Sequence, residues 1–92
     1  MFEAIEYIEV QPSLNARNPA PSERSLGTYE SEEEAIEAGR EARQALLEID
    51  HEPYAWWIVR RSGARLAQWI ADSHSDQEFV LDLTTGQLIE VP

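Results

Sequence analysis

Cysteine and lysine are both missing from this 92-residue chain. Without cysteine there can be no disulfide and no thiolate metal centre, and nothing calls for an oxidising compartment. All seven basic residues are arginines. They face 18 Asp and Glu, for a formal net charge of −11. A surface this negative repels polyphosphate backbones and anionic lipid at long range, which disfavours nucleic acid and membranes and suits a basic partner. No apolar run approaches the roughly 20 residues needed to cross a bilayer. The opening Met1-Phe-Glu-Ala-Ile-Glu6 has no basic start and no small-residue cleavage site, so no secretory signal is expected. The expectation is a small acidic domain in the cytoplasm.

Catalytic signatures are missing too. There is no Gly-x-Ser-x-Gly, no phosphate-cradling glycine loop and no His-Glu-x-x-His. The two histidines lie in Asp50-His51-Glu52 and in Asp72-Ser73-His74-Ser75-Asp76. Alternating acids around an imidazole could ligate a divalent ion, but neither run has a ligand spacing or the glycine of a calcium loop. Ser73 and Ser75 flank His74 along a polar connection, where neighbours rarely share a pocket. The expectation is a non-enzymatic protein with no cofactor and no metal.

What is present is enough for one domain with one modest core. Hydrophobic residues make up 42% of the chain and include three Trp, three Tyr and two Phe, which argues against wholesale disorder. Phe2 to Val10 favours a strand by side-chain shape, and Pro12 closes it. Residues 11–27 hold Pro12, Pro19, Pro21, Asn15, Asn18 and several serines, and read as a long irregular loop. Thr28 and Tyr29 could form a short edge strand.

Ser31 to Ile49 is the best-defined element, a helix. Ser31 and Glu34 form a Ser-x-x-Glu capping box, and Glu32, Glu33 and Glu34 suit the positive end of the helix dipole. Ala35, Gly39, Ala42, Leu46 and Ile49 recur at spacings of four and three, forming one buried stripe that Ile36, Ala38 and Ala45 widen. Gly39 costs about 1 kcal/mol against alanine in a helix interior, and close approach to a sheet would offset it. The run from Gly27 to Ala42 resembles the strand-to-helix junction of many small bacterial domains. Its residues cap and pack, so the resemblance implies architecture and no activity.

Tyr54 to Ala71 reads as a hairpin turning at Ser62-Gly63. A two-residue loop would oppose Arg60 and Arg65, a like-charge pair. A type I turn with Gly63 left-handed would pair Arg60 with Ala64 instead. Glu78 to Val91 reads as a second hairpin, with Gly86 in a bulged turn. Pairing Leu83 with Gln87 puts Phe79, Leu81, Ile89 and Val91 on one face. The predicted fold is α+β: one helix, about 31–49, on a mostly antiparallel sheet of four to five strands, in the order β-(β)-α-β-β-β-β.

The most unusual local feature is the first hairpin. Trp56, Trp57 and Trp69 lie on its two strands, and Arg60, Arg61 and Arg65 are the only charges between Glu52 and Asp72. Adjacent residues of a strand face opposite sides, so one covering layer cannot hide both Trp56 and Trp57. The second indole could be covered from within the chain, by the 11–27 loop, or by another chain; these six residues, with that loop, are the candidate contact surface for a protein partner or a second copy. Base or sugar stacking is the weaker alternative. The acids Glu30, Glu32, Glu33, Glu34 and Glu37 serve helix capping and solvation. With the net charge they also motivate the alternative of an acidic inhibitor or immunity-type protein that binds a basic enzyme.

Overall fold

The computed structural model describes residues 1–9, 22–49 and 54–91. The elements are β1 (Phe2–Ile8), β2 (Ser22–Tyr29), α1 (Glu32–Ile49), β3 (Ala55–Arg61), β4 (Ala67–Asp72), β5 (Glu78–Leu81) and β6 (Leu88–Glu90). The strands form one sheet in the order β2-β1-β3-β4-β5-β6, and every neighbouring pair is antiparallel. This is the expected α+β architecture with six strands in place of four or five.

The extra strand is β2. Its sequence, Ser-Glu-Arg-Ser-Leu-Gly-Thr-Tyr, has little strand character, yet it pairs with β1 from Phe2–Tyr29 to Ile8–Ser22. Edge strands tolerate polar residues because one side of the ladder faces solvent. The predicted loop at 11–27 is therefore corrected over 22–27; the rest of it lies outside the described residues. His51 does too.

α1 begins where the capping motif puts it, with the Glu34 N–H donating to Ser31 Oγ at 3.2 Å. The helix packs on β1, β2 and β3. Ala35 and Gly39 are buried, and Ile36, Ala38, Ala42 and Leu46 pack against the core. Ile49 departs from the predicted stripe and is 83% exposed. An 18-residue helix is about 27 Å long, and seven-residue strands span about 23 Å, so its last turn outruns the sheet.

Both hairpins differ from their sequence-based registers. Arg60 pairs with Ala67 rather than Ala64, across a bulge beside Val59–Trp69. Gly63 takes φ 83°, and the Ala64 N–H closes the turn on the Arg61 carbonyl. Arg65 is left in the connection and never opposes Arg60. In the second hairpin Asp82 holds a four-residue turn. Its carbonyl accepts the Gly86 N–H at 2.7 Å and its carboxylate accepts the Thr84 N–H at 2.9 Å. Leu81 therefore pairs with Leu88, Val80 with Ile89 and Phe79 with Glu90. The one-residue shift exchanges faces: Phe79 and Leu81 share a side with Leu88, while Ile89 joins Val80.

Candidate functional site

The helix divides the candidate set. On the covered face of the sheet, Trp57, Val59 and Trp69 are 0% exposed and join Ala4, Ala35, Ala55 and Ala71 in the core. Trp57 and Trp69 are therefore corrected from candidate contacts to core residues. Each satisfies its indole N–H in the same way. Trp57 Nε1 donates to Glu6 at 2.9 Å, and Glu6 is paired with Arg24 at 2.9 Å. Trp69 Nε1 donates to Glu78 at 2.7 Å, and Glu78 is paired with Arg40 at 2.8 Å. A buried N–H left without an acceptor is costly, so the carboxylates are structural. Burial alone would push the Glu78 carboxyl up. Hydrogen bonds from Arg40 and Trp69, with the charges of Arg40 and Arg43, outweigh it and hold the group below its ordinary range.

Trp56 faces the other side, as alternation requires. It stacks on Tyr7, its cross-strand neighbour in β1, with ring centroids 5.2 Å apart and planes 14° from parallel. Burial, reinforced by the charge of Glu23, pushes the Tyr7 phenol above its ordinary value.

The pairing register sorts this second face into rows that cross the strands. One row reads Glu23, Tyr7, Trp56, Asp72. The next reads Ser25, Ile5, Ile58, Ile70, Phe79, Glu90. The third places Thr28, Glu3 and Arg60 side by side. Arg60 Nη2 donates to Glu3 at 3.2 Å, and Ser25 Oγ donates to the same carboxylate at 3.0 Å. The centre of the face is thus apolar and aromatic with one internal ion pair, and acids stand at both ends of the first row and at one end of the second. Tyr7, Trp56, Ile58, Ile70, Phe79 and Leu81 are all partly exposed, and Leu88 is 47% exposed.

The other arginines of the set sit apart from this centre. Arg61, at the end of β3, lies 5.9 Å over the Phe2 ring. Arg65 is exposed in the turn. Of the six candidates, then, only Trp56 and Arg60 lie on the second face. Sequence reasoning missed Tyr7, Ile58, Ile70 and Phe79. Alternation within each strand was readable, but which strands lie side by side was not. His74 is exposed and packs its ring against Tyr54 at 4.8 Å. Among the described residues no group of three or more His, Asp and Glu is arranged to hold a metal ion.

Small grooves occur on the helix side. One of about 50 Å³ lies among Arg40, Arg43, Trp69 and Glu78, and its charged walls already pair with one another. A wider one of about 250 Å³ lies between Ile8, Arg24, Ala42 and Leu46. Compared with protein-family models, with curated proteins and with solved structures, the chain matches none.

Proposed function

We propose that this protein is a non-enzymatic protein-interaction module whose contact surface is the sheet face opposite α1, around Trp56 and Arg60. One observation carries the reading. α1 covers one side of the sheet, and the other side keeps a partly exposed, stacked Tyr7–Trp56 pair and a partly exposed apolar row from Ile58 to Phe79. Large aromatics are typical interface anchors, because they add area at little entropic cost and desolvate well, and the paired Arg60 lies two rows away on the same face. The β5–β6 hairpin strengthens the reading. Leu88 and Ile89 point to opposite faces and are 47% and 48% exposed. β6 is exposed along its whole length, whereas β5 is partly buried through Val80 and Glu78, so the outer strand has little packing of its own.

A photo-crosslinking amino acid placed at Ile70, and separately at Glu41 on the exposed side of α1, tests the assignment. Adducts to protein are expected from position 70 and not from position 41. Equal yields from the two positions, or none from position 70, would reject the sheet face as the contact surface.

The acidic inhibitor or immunity-type alternative draws support from exposed Glu33, Glu34, Glu37, Glu41 and Glu48 on α1. It predicts adducts from position 41 and an affinity that falls steeply with salt.

A further inference from the structure

We infer that the second sheet face takes a basic partner, through an arginine or lysine seated against the outer side of the Tyr7–Trp56 stack. This rests on the interaction-module reading and adds the chemistry of the occupant. Three placements carry it. The two rings are stacked on each other at 5.2 Å, so each shields one face of its neighbour and turns its other face along the row. The next position along the row is an acid on both sides: Glu23 follows Tyr7, and Asp72 follows Trp56. Adjacent strands are about 4.8 Å apart, so a cation against either outer ring face lies near a carboxylate, which it would share: Glu23 already accepts the Tyr7 hydroxyl at 3.4 Å, and Asp72 Oδ1 accepts the N–H groups of His74 and Ser75. Glu9, exposed just past the end of β1, adds a negative charge at the same end.

The adjoining row fixes the rest of the partner's chemistry. Ile58, Ile70 and Phe79, all partly exposed, lie in the row two residues along from the aromatic row, about 6.7 Å away, and Ile5 at the head of that row is buried. An occupant therefore presents a basic side chain and an aliphatic one about 6–7 Å apart, the spacing of residues i and i+2 in an extended segment. The face's own arginine, Arg60, is held by Glu3 at 3.2 Å two rows from the aromatic pair, although its charge reaches the Tyr7 phenol.

A second copy of this chain fits the face less well. Any two-fold packing of the face on itself brings together rims that carry Glu23, Glu9, Asp72 and Glu90, in molecules of net charge −11. Like charges juxtaposed across an interface oppose association.

The test titrates the full chain with the peptide acetyl-Arg-Ser-Ile-Ser-Ile-amide and with its counterpart carrying Gln in place of Arg. Heteronuclear NMR follows the three indole N–H signals and the backbone. The expected result is a shift centred on Trp56, Tyr7 and Ile58, with Trp57 and Trp69 unmoved. Binding of the Gln peptide should be about threefold to tenfold weaker, the size of one cation–π contact with flanking charge. The variant Asp72→Asn should weaken the Arg peptide alone. Trp56→Leu keeps an apolar residue in the strand and should abolish the difference between the peptides.

No shift at Trp56, equal affinity for both peptides, or shifts spread evenly over the helix acids would overturn the inference. So would concentration-dependent dimerisation that protects Trp56. If position 70 still crosslinks to another protein while both peptides fail to bind, the interaction surface stands and its cationic occupant falls.

Discussion

Gly39 of α1 lies directly against the indole of Trp69: a β-carbon at position 39 would stand 2.8 Å from Trp69 Cζ3 and 3.1 Å from Cη2. Real β-carbons do not approach that closely. Trp69 is fully buried and its N–H is tied to Glu78, so the ring has little freedom to withdraw. The missing methyl is what lets the helix sit low enough to seal the core. Gly39→Ala gains about 1 kcal/mol of helix propensity and meets an overpacking cost of about 1–3 kcal/mol. The net expectation is destabilisation by up to about 2 kcal/mol. Urea denaturation checks it, as a lower midpoint with an unchanged slope. A midpoint at or above that of the parent chain would show that the helix shifts to make room.

Glu6 is nearly buried, at 4% exposure, and one of its oxygens is the acceptor for Trp57 Nε1. Glu6→Leu removes the acceptor and leaves that N–H unpaired in the core, at a cost of about 1–3 kcal/mol. Glu6→Gln keeps an acceptor and gives up the pair with Arg24, whose side chain is 66% exposed. Exposed partners contribute little, so the second change should cost less than about 1 kcal/mol. Thermal unfolding of the two variants tests the ordering, and equal losses would show that the charge matters more than the hydrogen bond.

Glu78 makes stability depend on pH with a definite sign. Its folded pKa is depressed, because Arg40 and Trp69 stabilise the carboxylate more than burial penalises it. A depressed acid adds stability that is complete above the unfolded value of about 4.3 and is lost as pH falls through the folded value. The stability gap between the parent chain and Glu78→Gln should be constant above about pH 5.5 and should shrink toward pH 3. Denaturant titrations at pH 7, 5, 4 and 3 measure it. A gap that does not change over this range would contradict the linkage.

Tyr7 and Trp56 meet as cross-strand neighbours, so their stacking is separable from burial by a double-mutant cycle. The coupling in Tyr7→Leu and Trp56→Leu, singly and together, should be about 0.5–1 kcal/mol. Because the pair lies outside the helix-covered core, the double variant should keep the circular-dichroism spectrum of the parent. A coupling near zero would mean that the rings are held by their own strands and gain nothing from each other.

Much of the fold was legible because its determinants are local. Ser31 and Glu34 are three residues apart, so the start of α1 needed no tertiary information. Trp56 and Trp57 had to face opposite sides once residues 55–61 were extended. The open position at Gly39 also pointed to close packing before its neighbour was known. Elsewhere local chemistry pointed the wrong way. Ser22 to Gly27 lacks strand character and is a strand because β1 offers it an edge. The second hairpin slipped by one residue because the Asp82 carboxylate, satisfying the Thr84 N–H, selects a longer turn than Gly86 alone would.

By itself, then, the sequence determined the acidic composition of the chain, the helix with its cap, and the alternation that separates Trp56 from Trp57. Which indole was covered was decided only when α1 packed on one face of the sheet, and what stood beside the other only when β1 and β4 came to flank β3. The physical reason is that periodicity fixes the side of a strand a residue occupies, whereas neighbours across a sheet come from residues distant in the chain. Trp69, read as a contact residue, became the ceiling over Gly39. Tyr7, unremarkable in β1, became half of the partly exposed aromatic stack.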